Sequence, residues 1–409
     1  MSESIVALLG QRDEPTDAVE RYCVHLGAAL RVHDFAMDIV RFSWKERGWP
    51  TALGNLRQRA ADWRGRWILV QYTALAWSPH GFPLKVPRVM TVLRDAGARI
   101  GVVYHDAQPY SGSRGVDQLR RFVQQRTMRQ ALRASELAIL TVPAEKLSWI
   151  SPAPKKAVFI PVGANLPLLA PSSQGSVRSD EMPTVAVFGV TGGAAGPLEI
   201  AQITGAVRYA AEKLGKLRFL VFGRHAESAE AVLRKDLRNF PVTLHVAGVL
   251  PENDVEVLLR SSDVLLFVRG PISSRRGSAI AGIACGLPVI AFAGSETAAP
   301  ITDAGVVFVS GEDKNALGGA LVRLLSDRAY HDRLAERSRV AYKNHFSWEA
   351  IASRYASVLK TPLEGNNPGR PALRCPTAAI FASMCFSGCA YGPSLLLSDA
   401  SATICRALR

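Results

Sequence analysis

The sequence predicts an α/β protein made of two Rossmann-like domains that face each other across a cleft. The chain has 409 residues, which exceeds the roughly 250 to 300 at which a single compact domain usually stops growing. Short apolar runs also alternate with helical patterns through both halves, which is typical of parallel sheets covered by helices on both faces. The hydrophobic content of 48% excludes wholesale disorder.

Six apolar runs in the first half are predicted to be strands. The first of them, residues 5–9, is too short for a signal peptide and lacks a basic leader, so export is not expected. Amphipathic stretches at 18–32 and 116–134 have the spacing of helices. The predicted strands are 5–9, 35–42, 67–72, 100–104, 137–142 and 158–162.

A second series of strands and helices follows a stretch rich in Pro, Ser and Gly at 166–183, which we interpret as a linker. The predicted domains are 1–165 and 184–345, followed by a helix at 346–360, with no strand between it and the helical stretch at 330–342. The strands of the second domain are predicted at 184–189, 217–223, 242–248, 263–268, 288–293 and 306–309, with helices including 198–214, 255–261 and 315–325.

The tail at 361–409 differs from the rest of the chain. Its uncharged stretch at 375–398 is long enough to span a bilayer, but Gly, Pro and Ser make it poorly hydrophobic, which favours a low-order extension over a membrane span. Four of the six cysteines lie in this tail, and no zinc-ligand spacing appears in the chain. We therefore expect a reduced, cytoplasmic protein without a metal site.

The chain is basic, with a formal net charge of +14, and most of the excess lies in residues 1–170. Such a surface attracts nucleic acid, an anionic membrane or a phosphorylated substrate. No nucleic-acid partner is predicted, because no basic and aromatic interleaving or recognition helix appears. One hypothesis is a peripheral contact with the inner membrane, and the other is a basic surface that binds only its substrate. The candidate membrane contacts are Arg57, Arg59, Arg64 and Arg66, with Trp63 and Trp67 as anchors.

Candidate site residues lie in loops that follow strands, where doubly wound domains bind ligands. Arg275 and Arg276 precede Gly277 and Ser278 at the start of a helix of small residues, which predicts a phosphate site rather than a solvated turn. The glycine-rich loop at 188–196 either approaches a ligand or is a tight turn. Other candidates in these loops are Gly189, Gly192, Gly193, Arg224, Val249 and Glu296.

On the first domain, His105 and Asp106 directly follow the strand at 100–104. The histidine is a candidate for acid–base chemistry or for binding a sugar hydroxyl, and the alternative is an imidazole that caps the strand. Gly10 and Arg12 belong to a second polar loop on the same edge.

The second domain resembles the C-terminal domain of glycosyltransferases of the GT-B fold, family 4 type. The matching segments are 242–267, 283–296, 305–309 and the Phe-Ser-Trp at 346–348. The first domain is similar more loosely, at VQYTALAWSPHGFP (70–83), VVYHD (102–106) and VFIPVGANLP (158–167).

This resemblance implies a retaining, metal-independent sugar transfer with no cofactor beyond a nucleotide-sugar co-substrate. It implies that the second domain binds the donor, the first binds a polysaccharide or lipid-linked acceptor, and the last helix crosses back to the first domain. The implied catalytic residues are His105, Arg275 and Arg276. The implied donor-binding residues are Gly189, Gly192, Gly193, Arg224, Val249, Gly277, Ser278 and Glu296, and the acceptor side includes Gly10, Arg12 and Asp106.

The chain departs from this family in its charged residues. Ser273 and Ala281 stand where the family has two glutamates, and the loop after the first strand of the second domain lacks the usual Arg and Lys. Either Arg275 and Arg276 replace that charge, or donor chemistry has been lost. An inactive scaffold or carbohydrate-binding protein and a nucleotide-sugar epimerase therefore remain as alternatives.

Overall fold

The computed structural model describes residues 2–112, 114–167, 182–311, 313 and 315–361. They form two six-stranded sheets in which the strand pairings are parallel. The strands of the first sheet are β1 (Glu3–Leu9), β2 (Phe35–Arg41), β3 (Trp67–Tyr72), β4 (Arg99–Tyr104), β5 (Leu137–Leu140) and β6 (Ala157–Phe159), in the order β2-β1-β3-β4-β5-β6. Those of the second are β7 (Thr184–Phe188), β8 (Leu217–Phe222), β9 (Val242–Val246), β10 (Val264–Phe267), β11 (Val289–Phe292) and β12 (Val306–Val309), in the order β12-β11-β10-β7-β8-β9.

Both faces of the first sheet are buried, because alternate side chains of its central strands enter two different cores. Ile5 and Ala7 of β1 belong to one apolar cluster, whereas Val6 and Leu8 belong to another. This explains why the central strands are continuously apolar rather than alternating. The helices of this domain are α1 (Ala18–Leu30), α2 (Trp44–Arg47), α3 (Trp49–Ala60), α4 (Val86–Asp95) and α5 (Gly115–Ala134).

The second domain repeats this arrangement. Its short helix α9 lies close to β10, since a Cβ on Gly282 would lie 2.5 Å from Leu265 Cδ2. Close packing of this kind fixes where the start of α9 points. The helices are α6 (Gly196–Leu214), α7 (Ala226–Leu237), α8 (Glu252–Arg260), α9 (Gly277–Ala284), α10 (Ala316–Ser326), α11 (Arg328–Ala341) and α12 (Trp348–Lys360).

Helix α12 follows the second domain in sequence but packs on the first. Trp348 at its start donates through Nε1 to the main-chain oxygen of Ala164 at 2.7 Å. At its other end, Leu359 O accepts from Trp67 Nε1 at 3.2 Å. The predicted crossing helix is therefore present.

The predicted fold class is confirmed, including all twelve strands. Several strand ends differ, and the largest difference is at the edge strand β6: the strand predicted at 158–162 is Ala157–Phe159, which three residue pairs join to β5. The helix predicted at 255–261 begins three residues earlier, at Glu252. The segment 168–181 of the predicted linker and residues 362–409 of the predicted tail lie outside the described residues.

Candidate functional site

The two domains meet at the edges where their parallel strands end, which is where such sheets bind ligands. Two of the hydrogen bonds that join the domains there involve Ser274. The Val162 N–H donates to Ser274 O at 3.1 Å, and Ser274 Oγ donates to Thr141 O at 2.7 Å. The loop after β10 thus contacts the segments that follow β5 and β6, and residues of both domains line the cavities at this junction.

A cavity of about 300 Å³, here called the arginine pocket, lies between the start of α1 and the start of α9. Thr16, Ala18, Arg21 and Asn165 line it from the first domain. The second domain contributes four arginines and four small residues, namely Arg224, Arg269, Arg275, Arg276, Gly189, Gly277, Ser278 and Ala281. The pocket therefore combines a strong positive charge with the N-terminus of a helix, and both features favour an anion.

Two of these arginines have no hydrogen-bonding or ion-pair partner within the described residues. Arg269 makes no such contact, and the buried Nε of Arg276 donates to nothing. Burial, followed by the charge of Arg275, lowers the pKa of Arg276 to about 10. Burial also lowers the pKa of Arg269. Arg276 thus remains charged at neutral pH, and a half-buried charge whose Nε has no partner is costly until an anion binds beside it.

The other two arginines are held by carboxylates. Arg275 forms a bidentate pair with Glu296, at 2.7 Å from Nε to Oε2 and 3.1 Å from Nη2 to Oε1. Arg224 lies 3.0 Å from Asp13 Oδ2 and donates to the main-chain and hydroxyl oxygens of Thr16. Arg224 therefore ties the second domain to the loop before α1.

The glycine-rich loop after β7 shapes the arginine pocket without closing it. Gly189 has a φ of +79°, and a Cβ there would lie 2.6 Å from Arg269 Nη1. Glycine thus allows the Arg269 guanidinium to occupy this space. Gly192 packs against the ring of His225, and Gly193 has open space around it. Neither is among the residues that line the arginine pocket.

The N-terminus of α6, which follows the glycine-rich loop, has its own carboxylate. Both oxygens of the buried Glu199 accept from the Thr191 N–H, at 3.2 and 3.3 Å. A protein side chain therefore already complements this helix start. In the second domain the start of α9 is the better anion site, because unpartnered cations lie beside it.

A larger cavity of about 950 Å³ adjoins the arginine pocket, and Arg275 lines both. Glu296 lines it from the second domain, and Asp106 lines it from the end of β4. The Asp106 carboxylate accepts from the Ala74 N–H at 2.7 Å, and burial raises its pKa. Two carboxylates and an arginine at one wall form a set of hydrogen-bonding groups suited to sugar hydroxyls.

His105 lies behind this wall and is not among the residues that line the large cavity. Its Nε2 is 2.8 Å from Gln71 Oε1, and the ring of Tyr22 packs edge-on at 5.0 Å. Burial lowers the pKa of His105 to about 4, so the ring is neutral at physiological pH. These contacts fix the imidazole in place, while the next residue, Asp106, reaches the cavity.

The remaining predicted site residues, Gly10, Arg12 and Val249, do not line the arginine pocket. Gly10 and Arg12 line a cavity of about 410 Å³ on the first domain, which Asp106 also borders. Gly10 allows a close approach, since a Cβ would lie 2.4 Å from Ala76 O. Arg12 is exposed and has only long ion-pair distances, 3.6 Å to Glu20 and 3.9 Å to Glu14. Val249 is 45% exposed and is not among the residues that line the arginine pocket.

The two positions without glutamate lie at this site. The buried Ser273 donates through Oγ to Glu296 Oε2 at 3.2 Å. Ala281 lines the arginine pocket from within α9. A carboxylate is therefore present beside Ser273, but it comes from the loop after β11.

Sequence reasoning missed Arg269, Thr16 and Asn165. Arg269 follows the strand run at 263–268 directly, which was a usable signal. Nothing local marks Asn165, whose buried Oδ1 has no hydrogen-bond partner and whose Nδ2 donates to Ala18 O at 3.0 Å. Its place in the pocket depends on how the two domains meet.

The predicted membrane anchors are wrong. Trp63 is 5% exposed and Trp67 is fully buried beneath α12, so neither ring can enter a bilayer without unfolding its surroundings. Arg66 is paired with Asp38. Arg57, Arg59 and Arg64 are exposed. A peripheral contact with an anionic membrane therefore stays a prediction that rests on these charges alone, without aromatic anchors.

In the described part of the chain, no helix is both long and apolar enough to cross a membrane. Within the same residues, no group of three or more His, Cys, Asp or Glu side chains is placed to hold a metal ion.

Comparison with known proteins agrees with this architecture. Residues 198–327 match the family described as glycosyl transferases group 1. No curated protein sequence matches the chain significantly.

Several solved structures share its fold. Sucrose-phosphate synthase from Thermosynechococcus elongatus has a TM-score of 0.65 at 19% identity, covering 87% of this chain and 98% of that one. HepE of Anabaena, in complex with UDP and glucose, has a TM-score of 0.61 at 15% identity, covering 87% and 99%. A protein assigned as a UDP-N-acetylglucosamine 2-epimerase from Listeria monocytogenes has a TM-score of 0.57 at 12% identity, covering 88% and 96%. The chain thus has the two-domain GT-B fold, and residues 198–327, which lie in its second domain, are similar to the glycosyl transferases group 1 family.

Proposed function

We propose that this enzyme transfers a sugar from a nucleotide-sugar donor to a polysaccharide or lipid-linked glycan. The observation that carries the proposal is the pair of unpartnered arginines, Arg269 and Arg276, beside the start of α9. A nucleoside diphosphate brings the negative charge that this pocket lacks. HepE binds UDP in a related fold, so UDP-sugars are the first donors to test.

The same arginines support a metal-independent reaction. When the bond to the sugar breaks, negative charge develops on the leaving diphosphate. Arg269, Arg276 and the N–H groups of Gly277 and Ser278 are fixed donors that would stabilise this charge as it forms. The positive charge that a divalent cation supplies elsewhere then comes from side chains of this chain.

The transferred sugar would lie where the arginine pocket meets the large cavity. Asp106, Glu296 and Arg275 border that junction and could bind its hydroxyl groups. His105 would act on this position through Asp106 and the end of β4, because Gln71 and Tyr22 hold its ring. Retention of configuration at the transferred carbon is part of the proposal and follows from the resemblance to family 4 enzymes.

One alternative is a protein that binds a nucleotide sugar or glycan without transferring it. The observation in its favour is the replacement of two family glutamates by Ser273 and Ala281. Glu296 weakens this alternative, because its carboxylate contacts Ser273 directly. An epimerase is the other alternative, because a protein assigned as a UDP-N-acetylglucosamine 2-epimerase shares the fold. The reaction product distinguishes the two activities, since a transferase makes a new glycosidic bond to an acceptor and an epimerase does not.

Thermal unfolding of the full chain with UDP-glucose, GDP-mannose or ADP-glucose tests donor binding, and release of the free nucleoside diphosphate tests turnover. We expect one donor class to raise the melting temperature and to be cleaved when a glycan acceptor is added. Product anomers identified by NMR test retention, and turnover in the presence of a chelator tests metal independence.

The variant Arg276→Ala should lose roughly 10² to 10³ in rate, as is typical when one fixed donor to developing charge is removed. The matched control is Arg238→Ala, which removes an exposed arginine at the end of α7. Stabilisation by a nucleotide sugar with no nucleotide release under any acceptor would favour the binding protein. Absence of any nucleotide effect would contradict the proposal.

A further inference from the structure

The wall of the large cavity on the first domain is basic. Arg121 and Lys146 line it there, and Nζ of Lys146 has no hydrogen-bond or ion-pair partner within the described residues. Arg121 is exposed and donates to the main-chain oxygens of Tyr110 and Gly112, and no carboxylate of the described residues pairs with it. The carboxylates of the cavity, Asp106 and Glu296, lie instead near the arginine pocket.

Helix α5 holds this wall in place. Arg120 donates to His80 O at 3.0 Å, and Gln124 donates to Gly81 O at 2.8 Å. Gln124 also accepts from the Tyr110 N–H at 2.7 Å. The two loops that face the cavity are therefore fixed by the N-terminal half of one helix, so the basic wall has a defined shape before any ligand binds.

The positive charge continues along the exposed face of α5 beyond the cavity. Arg126, Arg129 and Arg133 are exposed, as Arg121 is. These positions span about 18 Å along the helix axis, at 1.5 Å per residue. The only acidic residue of α5 is Asp117, which is paired with Arg120. A basic ridge thus leads out of the large cavity.

We propose that the acceptor is an anionic glycan, one that carries carboxylate or phosphate groups, whose chain runs from the large cavity along α5. The inference rests on the proposed function, because it treats the large cavity as the acceptor site. The acceptor hydroxyl lies beside Asp106, and the negative groups of the following sugars contact Lys146, Arg121 and the ridge. A neutral glycan would leave these cations without partners.

An anionic membrane would also match the charge of α5, but the helix lacks the apolar surface for it. Phe122, at 61% exposure, is the one large apolar side chain of α5 that is exposed. Val123, Met128 and Leu132 are buried within the domain. A helix that lies in a membrane interface needs a broad exposed apolar face.

The test measures binding of the full chain, without donor, to hexagalacturonate, to maltohexaose 1-phosphate and to neutral maltohexaose, by calorimetry at low and high salt. Vesicles of equal parts phosphatidylglycerol and phosphatidylcholine form a fourth arm. The double variant Arg121→Gln/Lys146→Gln is compared with Lys235→Gln/Arg238→Gln, which removes the same two charges from α7. Melting temperatures show whether each variant is folded.

We expect one of the two anionic oligosaccharides to bind at least about tenfold more tightly than maltohexaose, and which one binds identifies the group. The Arg121→Gln/Lys146→Gln variant should weaken it roughly 2- to 30-fold, and salt should weaken it further, while the α7 variant should not. Equal affinity for charged and neutral hexamers would overturn the inference. So would an Arg121→Gln/Lys146→Gln variant that loses binding to the vesicles but keeps its affinity for the anionic oligosaccharides. Binding of UDP in a protein that does not prefer the charged hexamers would leave the proposed function standing. Hexagalacturonate binding without any nucleotide effect would remove the proposed transfer and, with it, the role of the bound glycan as an acceptor.

Discussion

The hydroxyl groups of Tyr22 and Tyr355 lie 2.8 Å apart in a buried hydrogen bond, although 333 positions separate them in the chain. Tyr22 belongs to α1 and Tyr355 to α12, so this bond attaches the last described helix to the first domain. Burial raises the pKa of both hydroxyls, which therefore remain protonated at any physiological pH. Tyr22 also packs on His105, so the same cluster supports the wall of the large cavity.

Tyr355→Phe should lower the free energy of unfolding by about 1 to 3 kcal/mol, because it leaves the Tyr22 hydroxyl buried without a partner. The double variant Tyr22→Phe/Tyr355→Phe should be closer to the wild type than either single variant. Urea unfolding of all four proteins measures this coupling. Simple addition of the two single effects would mean that the hydroxyls do not stabilise each other.

Arg276→Met should not lower the melting temperature in the absence of ligand, since it removes a half-buried charge whose Nε is buried without a partner. The same variant should lose most of the stabilisation that a nucleoside diphosphate gives to the wild type. Differential scanning fluorimetry with and without UDP measures both effects. A marked loss of stability without ligand would indicate that Arg276 is structural.

Gly189→Ala should weaken nucleotide binding. The added Cβ would meet Arg269 Nη1, and a left-handed φ costs about 1 to 2 kcal/mol for a residue other than glycine. Gly193→Ala is the matched control, because its φ is also positive, at +69°, but the space around it is open. The two variants should lose similar stability, and only the first should lose affinity for UDP by calorimetry. Equal affinities would show that the position of Arg269 is unimportant.

His105 should titrate near pH 4, because burial lowers its pKa from an ordinary value of about 6.5. Below pH 6.5 the unfolded chain binds a proton that the folded chain does not, so stability should fall as the pH drops from 6.5 towards 4. Imidazole resonances in NMR spectra give the midpoint. In His105→Gln, the slope of stability against pH in this window should be smaller. A midpoint near 6.5 would contradict the buried environment.

The sequence by itself determined the strands, their class and the basic loop before α9. Each of these follows from local features: apolar runs such as 67–72 reveal strands buried on both faces, and Arg275 and Arg276 precede a helix start within one short loop. Such patterns can be recognised in the sequence because the periodicity of a strand or helix, and the residues at its ends, depend on residues that are close together in the chain.

Only the tertiary structure decided which loops meet. Arg269 and Asn165 are 104 positions apart in the sequence, yet both line the arginine pocket. Local composition suggested Trp67 as a membrane anchor, whereas α12 covers it. Glu296 contacts Ser273 because β10 and β11 are adjacent in the sheet. Strand order, the meeting of the domains and the return of α12 depend on contacts between residues distant in sequence, and no local pattern encodes those contacts.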